Sequence, residues 1–358
     1  MQQRNQRSGG PAFGSTHIEI IATLGPATAS PDGIRALLSA GATRFRLNLA
    51  HADSDWLKRC LAAIRSLVVP GSAHLPVVAD LPGRKFRTER LAAPFQLQAG
   101  TEVYFGRSAP QTENVVHVPF HDWPEIISPK RGDTILLQDG AMELRIQESG
   151  PTGCRARVIR GGMLRDRMGV VFTGAVSSQL MTLAEEKIRI CRAQGVHAFL
   201  ISYCETPADV ATVHRSVGSA SDSACVLIPK IETAAALQNV DALLAAVDTV
   251  CLARGDLGAQ IGLSRVPPAE IRLLKAARQA GRGVWIAGQV LPGSLTDSGV
   301  NRPELAALYY ALCHGARGFI LSEETAVNEK AATAIRSMVE IIQQWTDNGS
   351  PHCQADPV

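Results

Sequence analysis

Charge is nearly absent as a signal in this chain of 358 residues. The formal net charge is +3, and no basic block interrupts the sequence. Nucleic-acid binding therefore has little support. No apolar stretch reaches the length of a membrane span. Aromatic residues make up only 5% of the chain, which decides nothing about assembly. The eight cysteines (Cys60, Cys154, Cys191, Cys204, Cys225, Cys251, Cys313 and Cys353) include no CxxC pair. Most lie inside apolar strand or helix patterns, so they read as reduced core residues of a cytoplasmic protein, not as a disulfide frame or zinc site. The polar, Gly-rich start (residues 1–15) lacks the apolar run of a signal peptide and reads as a flexible arm. Residues 347–358 read as a C-terminal tail.

What is present is a core. Hydrophobic residues make up 46% of the chain, enough for one large domain, or one large and one small. Residues 18–24 (IEIIATL) form a continuous apolar run, as a strand buried on both faces would. Ser30-Pro31-Asp32 marks a helix start, and Gly41 its stop. Strand 43–49, helix 53–68 and strand 75–81 follow. From about 89 to 175 the helical periods vanish, and short strands (TEVYF, NVVHV, DTILLQDG, MELRI, CRARVI, MGVVF) alternate with turn residues. This reads as a small all-β domain inserted after the third strand.

The α/β rhythm then resumes through helices 182–194, 206–217, 233–246, 267–280, 302–313 and 330–346. The strands between them are 197–203, 225–231, 249–254, 283–287 and 318–322. Eight strand-then-helix units predict a (β/α)8 TIM barrel over 16–88 and 176–346, with functional groups at the C-terminal ends of the strands. A doubly wound sheet is the alternative, but ATLGPATAS is a poor match to its Gly-rich first turn.

The polar residues gather where a barrel needs them. Arg46, Asn48 and His51 follow the second strand; Asp80, Arg84, Lys85 and Arg87 the third. Lys230 and Glu232 end the fifth, Arg254, Gly255 and Asp256 the sixth, and Ser322, Glu323 and Glu324 the eighth. Glu232 and Asp256 offer hard oxygen ligands suited to Mg²⁺ or Mn²⁺. Lys230 adds a positive charge, and such a set suits a metal-bound enolate or a transferring phosphoryl group. The plain structural reading is a set of strand-end ion pairs; the concentration of ionisable groups on one rim argues against it.

Taken in order, IIATLGPATAS, RFRLNLAH, VVADLPGRKFRT, GDTILLQDG, GGMLRDRMGV, IPKIET, LARGDLG, AGQVL and LSEETA resemble the pyruvate kinase family over residues 16–346. The resemblance implies a barrel with a β lid, phosphoryl transfer between phosphoenolpyruvate and ADP through a metal-bound enolate, and small-molecule partners with no nucleic acid or membrane. It implies Mg²⁺ or Mn²⁺ on Glu232 and Asp256, and Lys230 on the phosphoryl path. Arg46 and Arg87 would clamp phosphate, Gly255 and Asp256 amides and Arg254 would hold the substrate, and His51 and Arg87 would sit on the nucleotide side. Asn48 and Asp80 would bind a monovalent cation. The family's C-terminal domain has no counterpart here, and since the family commonly tetramerises partly through it, homo-oligomer formation is left open.

Departures accompany the resemblance. A serine ligand of the monovalent cation is Ala50, and a glutamate tied to potassium dependence is Lys85. The Lys85 ammonium would stand in for K⁺, so K⁺ is expected not to be required. The threonine linked to proton delivery is Gly288, a lid lysine is Met168, a strand-three lysine is Pro82, a strand-four arginine is Glu205, and the glycine before Glu324 is Glu323. Two other readings stay open: a metal-dependent aldolase or decarboxylase acting on a 2-oxo acid, and a non-catalytic binder of a phospho-ligand.

Overall fold

In the computed structural model of the protein, residues 18–50, 52–67, 76–82, 86–107, 115–120, 130–138, 141–172, 185–217, 225–296 and 299–348 are described. Eight parallel strands close into a barrel: β1 (Glu19–Thr23), β2 (Arg44–Asn48), β3 (Val77–Asp80), β4 (Ala198–Ile201), β5 (Val226–Ile231), β6 (Thr249–Ala253), β7 (Gly283–Ala287) and β8 (Gly318–Leu321). Each pairs with its sequence neighbours, and β8 pairs with β1 to complete the ring. The strands are apolar on both faces because one face fills the barrel and the other meets helices. Ile21, Val78, Leu200, Ile228, Trp285 and Ile320 pack inside, so the barrel is a filled core and not a pore.

The helices are α1 (Pro31–Ala40), α2 (Ser54–Leu67), α3 (Glu185–Ala193), α4 (Pro207–Val217), α5 (Ala234–Gln238), α6 (Val240–Ala246), α7 (Arg254–Ile261), α8 (Val266–Gln279), α9 (Arg302–Cys313), α10 (Glu323–Ala326) and α11 (Ala331–Asp347). Helix α1 starts as its sequence predicts: the Ser30 hydroxyl accepts from the Gly33 amide at 3.0 Å, and Gly41 ends it at φ 111°. The expected helix 233–246 is in fact two, α5 and α6. Asn239 caps one and opens the other, and its side-chain amide donates to the Glu205 carbonyl at 3.0 Å. The expected strand 249–254 stops at Ala253, because Arg254 already begins α7.

Between β3 and α3 the chain forms a seven-stranded sheet in the order Phe86–Arg87, Gly169–Phe172, Thr134–Leu137, Met142–Ser149, Gly153–Arg160, Glu102–Gly106, Val116–Pro119. Gly162–Leu164 pairs separately with Phe95–Leu97. Phe105, Phe120 and Phe172 anchor its core, with ring centroids 4.9, 5.7 and 5.9 Å apart. Among the described residues no helix is long and apolar enough to cross a membrane, and the seven described cysteines form no disulfide.

Candidate active site

Four charged side chains meet at the C-terminal end of the barrel. Parallel register sets Asn48 beside Asp80 and Arg46 beside Val78, so β2 and β3 deliver their polar ends at one level. Arg46 donates to one Asp80 carboxylate oxygen through Nε at 2.8 Å and Nη2 at 2.6 Å. Its Nη1 reaches the Thr23 hydroxyl at 3.0 Å. Lys230 Nζ lies 3.4 Å from the other Asp80 oxygen and 3.4 Å from Glu232 Oε2. Ser202 completes the Asp80 surroundings: its hydroxyl donates to the Leu81 carbonyl at 2.8 Å and lies 3.4 Å from the carboxylate.

Burial raises the energy of any uncompensated charge here, so the partners decide the protonation states. Burial alone would push the Asp80 carboxyl up, but the Lys230 and Arg46 charges outweigh it and hold it below the ordinary range. Burial likewise opposes the Lys230 charge, yet the Asp80 and Glu232 carboxylates hold its pKa above that of a free lysine. Glu232 behaves differently. It has no solvent exposure, and burial lifts its pKa to about 7; Lys230 pulls it down, while the negative charge of Asp256 pushes it up again. Its Oε1 accepts the Tyr203 amide, and its Oε2 is buried with no hydrogen-bond donor.

That last oxygen tests the expected metal. Two carboxylates that repel one another, one with a buried oxygen that faces Lys230 but accepts no hydrogen bond, offer the donor chemistry of a divalent cation. Among the described residues no three His, Cys, Asp or Glu side chains gather tightly enough to hold an ion alone. Mg²⁺ is commonly held by one or two carboxylates, with water and substrate oxygens completing its shell.

Asp256 and Gly255 sit in the first turn of α7, and both line a cavity of about 1120 Å³ that opens over the barrel mouth. Lys230, Arg46, Asp80, Asn48 and Arg87 line it too. Glu232 and Arg254 are not on its wall. Arg254 is turned toward the loop after β7, donating to the carbonyls of Gly288 at 3.0 Å and Gln289 at 2.9 Å, with Glu270 at 3.8 Å. Gly288 and Gln289 both have left-handed backbone, at φ 87° and 50°. The next two amides, Val290 and Leu291, donate to Glu324 Oε1 at 3.0 and 3.2 Å, while Oε2 accepts the Ser322 amide at 2.8 Å. The half-buried Arg254 and the buried Glu324 thus both fix the β7 loop. The sequence marked Glu324 only as a rim residue; its clamp on three backbone amides leaves no sequence signal.

The remaining positions fall in several places. Asn48 Oδ1 accepts the Ala50 amide at 3.1 Å and shapes the turn after β2. Arg87 reaches the cavity from the inserted sheet, with Nη1 donating to the Arg167 carbonyl at 2.8 Å. Met168 is buried in the core of that sheet, its sulfur accepting the Arg165 amide at 3.1 Å. Pro82 and Glu323 line the cavity, whereas Glu205 does not. His51, Arg84 and Lys85 lie outside the described residues. Trp56, at the start of α2, was missed in the sequence reading as a cavity residue because its spacing marks it as helix core, which it also joins.

A parallel (β/α)8 barrel with paired acids, a half-buried lysine and arginines at the C-terminal mouth has the architecture of a barrel enzyme. Residues 15–335 match the family model of the pyruvate kinase barrel domain. The chain belongs to the pyruvate kinase family. It is 31% identical over 331 residues to a pyruvate kinase of Agrobacterium vitis, covering 91% of this chain and 67% of that protein. It is 31% identical to pyruvate kinase 2 of Synechocystis over 91% of this chain and 56% of the relative, and 29% identical to the Thermococcus litoralis enzyme over 90% and 68%. The chain thus spans between 56% and 68% of the length of these relatives. This membership supports, at the coarse level, a pyruvate-kinase-like phosphotransferase.

Proposed function

We propose that the protein transfers a phosphoryl group between phosphoenolpyruvate and ADP, in the cytoplasm and without a monovalent cation. The observation that carries this reading is the Lys230 ammonium lodged between the Asp80 and Glu232 carboxylates at the cavity floor. Phosphoryl transfer demands fixed positive charge where the moving group spreads its negative charge, and little covalent chemistry from the protein. Arg46 and Arg87, as planar multi-donor cations, would orient the phosphate from two sides of the cavity. The amides in the first turn of α7, at Gly255 and Asp256, would receive the substrate carboxylate.

In the step itself the bond between phosphorus and the enol oxygen breaks, and a terminal ADP oxygen forms the new one. The enolate left behind takes a proton at its methylene carbon to become pyruvate. Gly288 supplies no hydroxyl at the expected proton-delivery position, so the proton comes from water in the cavity. A divalent cation held by Glu232 and Asp256 would supply neutralising charge for the phosphate and enolate oxygens. The reading of K⁺ independence is supported by Asp80, whose two carboxylate oxygens are taken by Arg46 and Lys230. We read the sheet between β3 and α3 as the lid over this site, with Arg87 as its contribution to the cavity.

Substitution of Lys230 by Met tests the assignment. The variant is expected to keep Mg²⁺-dependent binding of phosphoenolpyruvate and to lose transfer. Wild-type turnover in Lys230→Met would move the chemistry away from this residue and from the kinase reading.

A further inference from the structure

One buried carboxylate lies outside the cavity and has no part in the chemistry described so far. Helix α8 covers the barrel with an apolar stripe of Val266, Ala269, Leu273, Leu274 and Ala277 at helical spacing. Glu270 stands on that stripe and is only 7% exposed. A glutamate is almost never buried unless it is paired. An apolar side chain of similar volume would fill the same place without the cost of a buried charge. The packing of α8 therefore does not explain the residue, and its partner must.

That partner is Arg254, the first residue of α7, whose Nη1 lies 3.8 Å from Glu270 Oε2. The other two guanidinium nitrogens donate to the β7 loop, Nε to the Gly288 carbonyl at 3.0 Å and Nη2 to the Gln289 carbonyl at 2.9 Å. A planar guanidinium carries its donors in one rigid fork, so fixing the Nη1 end fixes the direction of the other two. The charges are matched as well. Burial disfavours the Arg254 charge, and Glu270, followed by Glu324, opposes that effect. Burial pushes the Glu270 carboxyl up, and the charges of Arg254 and then His314 pull it part of the way back. The loop held in this way packs against α7: a Cβ on Gly288 would lie 3.1 Å from the Gly255 amide nitrogen. A contact that close passes a displacement of the loop on to the amide.

We propose that Glu270 is a positioning residue for the reaction. Through Arg254 it holds the β7 loop against the first turn of α7, and so keeps the Gly255 and Asp256 amides placed for the substrate carboxylate. The inference rests on the phosphotransferase reading and deepens it. Glu270→Gln keeps the shape of the side chain and removes its charge. The Arg254 guanidinium then has no carboxylate to fix its Nη1 end, and the loop it grips loosens. Hydrogen bonds from amides to a carboxylate are charge-assisted, and losing one costs about tenfold or more in affinity. The nucleotide has no contact with these amides in this reading, so the loss is confined to phosphoenolpyruvate.

The test measures KM for phosphoenolpyruvate and for ADP, with Mg²⁺, in the wild type, Glu270→Gln, Arg254→Met and the double variant. Calorimetric binding of phosphoenolpyruvate and amide exchange at Val290 and Leu291 are measured alongside. Glu270→Gln is expected to raise the KM and the dissociation constant for phosphoenolpyruvate about tenfold or more, and to leave the KM for ADP unchanged. Protection at Val290 and Leu291 is expected to fall. The double variant is expected to be no worse than Arg254→Met, because Glu270 acts through that side chain. Should Glu270→Gln not fold, Glu270→Asp carries the same comparison, with the charge kept one methylene short of Arg254 and a smaller rise confined to phosphoenolpyruvate. A phosphoenolpyruvate KM equal to that of the wild type, a rise shared by ADP, or losses that add in the double variant would overturn the assignment and leave the phosphotransferase reading standing. A wild-type chain that binds phosphoenolpyruvate without transferring its phosphoryl group overturns that reading alone, and the dissociation constants then decide for or against Glu270.

Discussion

Gly288 is the position where the family's threonine would be restored most naturally, and the backbone resists it. Its φ of 87° is left-handed, a region in which a β-branched residue is an outlier. A Cβ there would meet the Gly255 amide nitrogen at 3.1 Å and the Arg254 amide nitrogen at 3.5 Å. Those atoms are backbone at the start of α7, and Arg254 itself is tied to the Gly288 and Gln289 carbonyls, so the neighbours do not yield easily. Left-handed geometry costs a non-glycine residue about 1–2 kcal/mol. The added methyl and hydroxyl of threonine, crowded against the amides, bring Gly288→Thr to about 2–3 kcal/mol. Asparagine tolerates this conformation better than alanine. Stability is therefore expected to fall in the order Gly, Asn, Ala, Thr, measured by urea unfolding followed through tryptophan fluorescence. Turnover in Gly288→Thr is expected to fall as well, because the Gly255 amide is displaced. A threonine variant as stable as the wild type would refute the strain argument, and one with increased turnover would refute the account of the loop.

Three further outcomes follow from the same geometry. Asp80→Asn leaves the partly buried Arg46 without its counter-charge and Lys230 with Glu232 but not Asp80, and is expected to cost about 3–5 kcal/mol in chemical denaturation; a loss under 1 kcal/mol would show that the two cations relax to solvent at about the cost of a surface pair. Glu324→Gln offers one acceptor oxygen where three backbone amides now converge. It is expected to lower stability by about 1–3 kcal/mol and to reduce amide-exchange protection at Val290 and Leu291. Mg²⁺ at about one hundred times its dissociation constant is expected to stabilise the wild type by about 2.7 kcal/mol and to leave Glu232→Gln unchanged; equal stabilisation of both would remove Glu232 from the metal site.

Much of the barrel was legible because its strands carry continuous apolar runs and its longer helices carry period. The expected boundaries of β7, α1 and α9 coincide with those observed, and the other strands are shorter than expected by one to three residues. Short elements were not legible. Helix α7 begins RGDLG, with two glycines and no apolar stripe, and α10 has only four residues, so neither shows a period. The α5–α6 break was hidden because IETAAALQNVDALLAAV reads as one amphipathic run, and only the Asn239 contact with Glu205 reveals the interruption.

In the site, residue types were readable and pairings were not. Asp80 suggested a cation ligand, yet its partners are side-chain cations from β2 and β5, a meeting decided by barrel closure and not by spacing. Arg254 suggested substrate contact, but the fold gives it the β7 loop to hold. Met168 faces its own sheet's core, where a long apolar side chain is more stable than at a charged cavity.

The most direct test of the account is phosphorus NMR of the purified chain with phosphoenolpyruvate, ADP and Mg²⁺ in buffer free of K⁺. A nucleoside triphosphate is expected in an amount equal to the phosphoenolpyruvate consumed, at a rate that added K⁺ does not raise. Binding of phosphoenolpyruvate with no triphosphate formed, with or without K⁺, would contradict it.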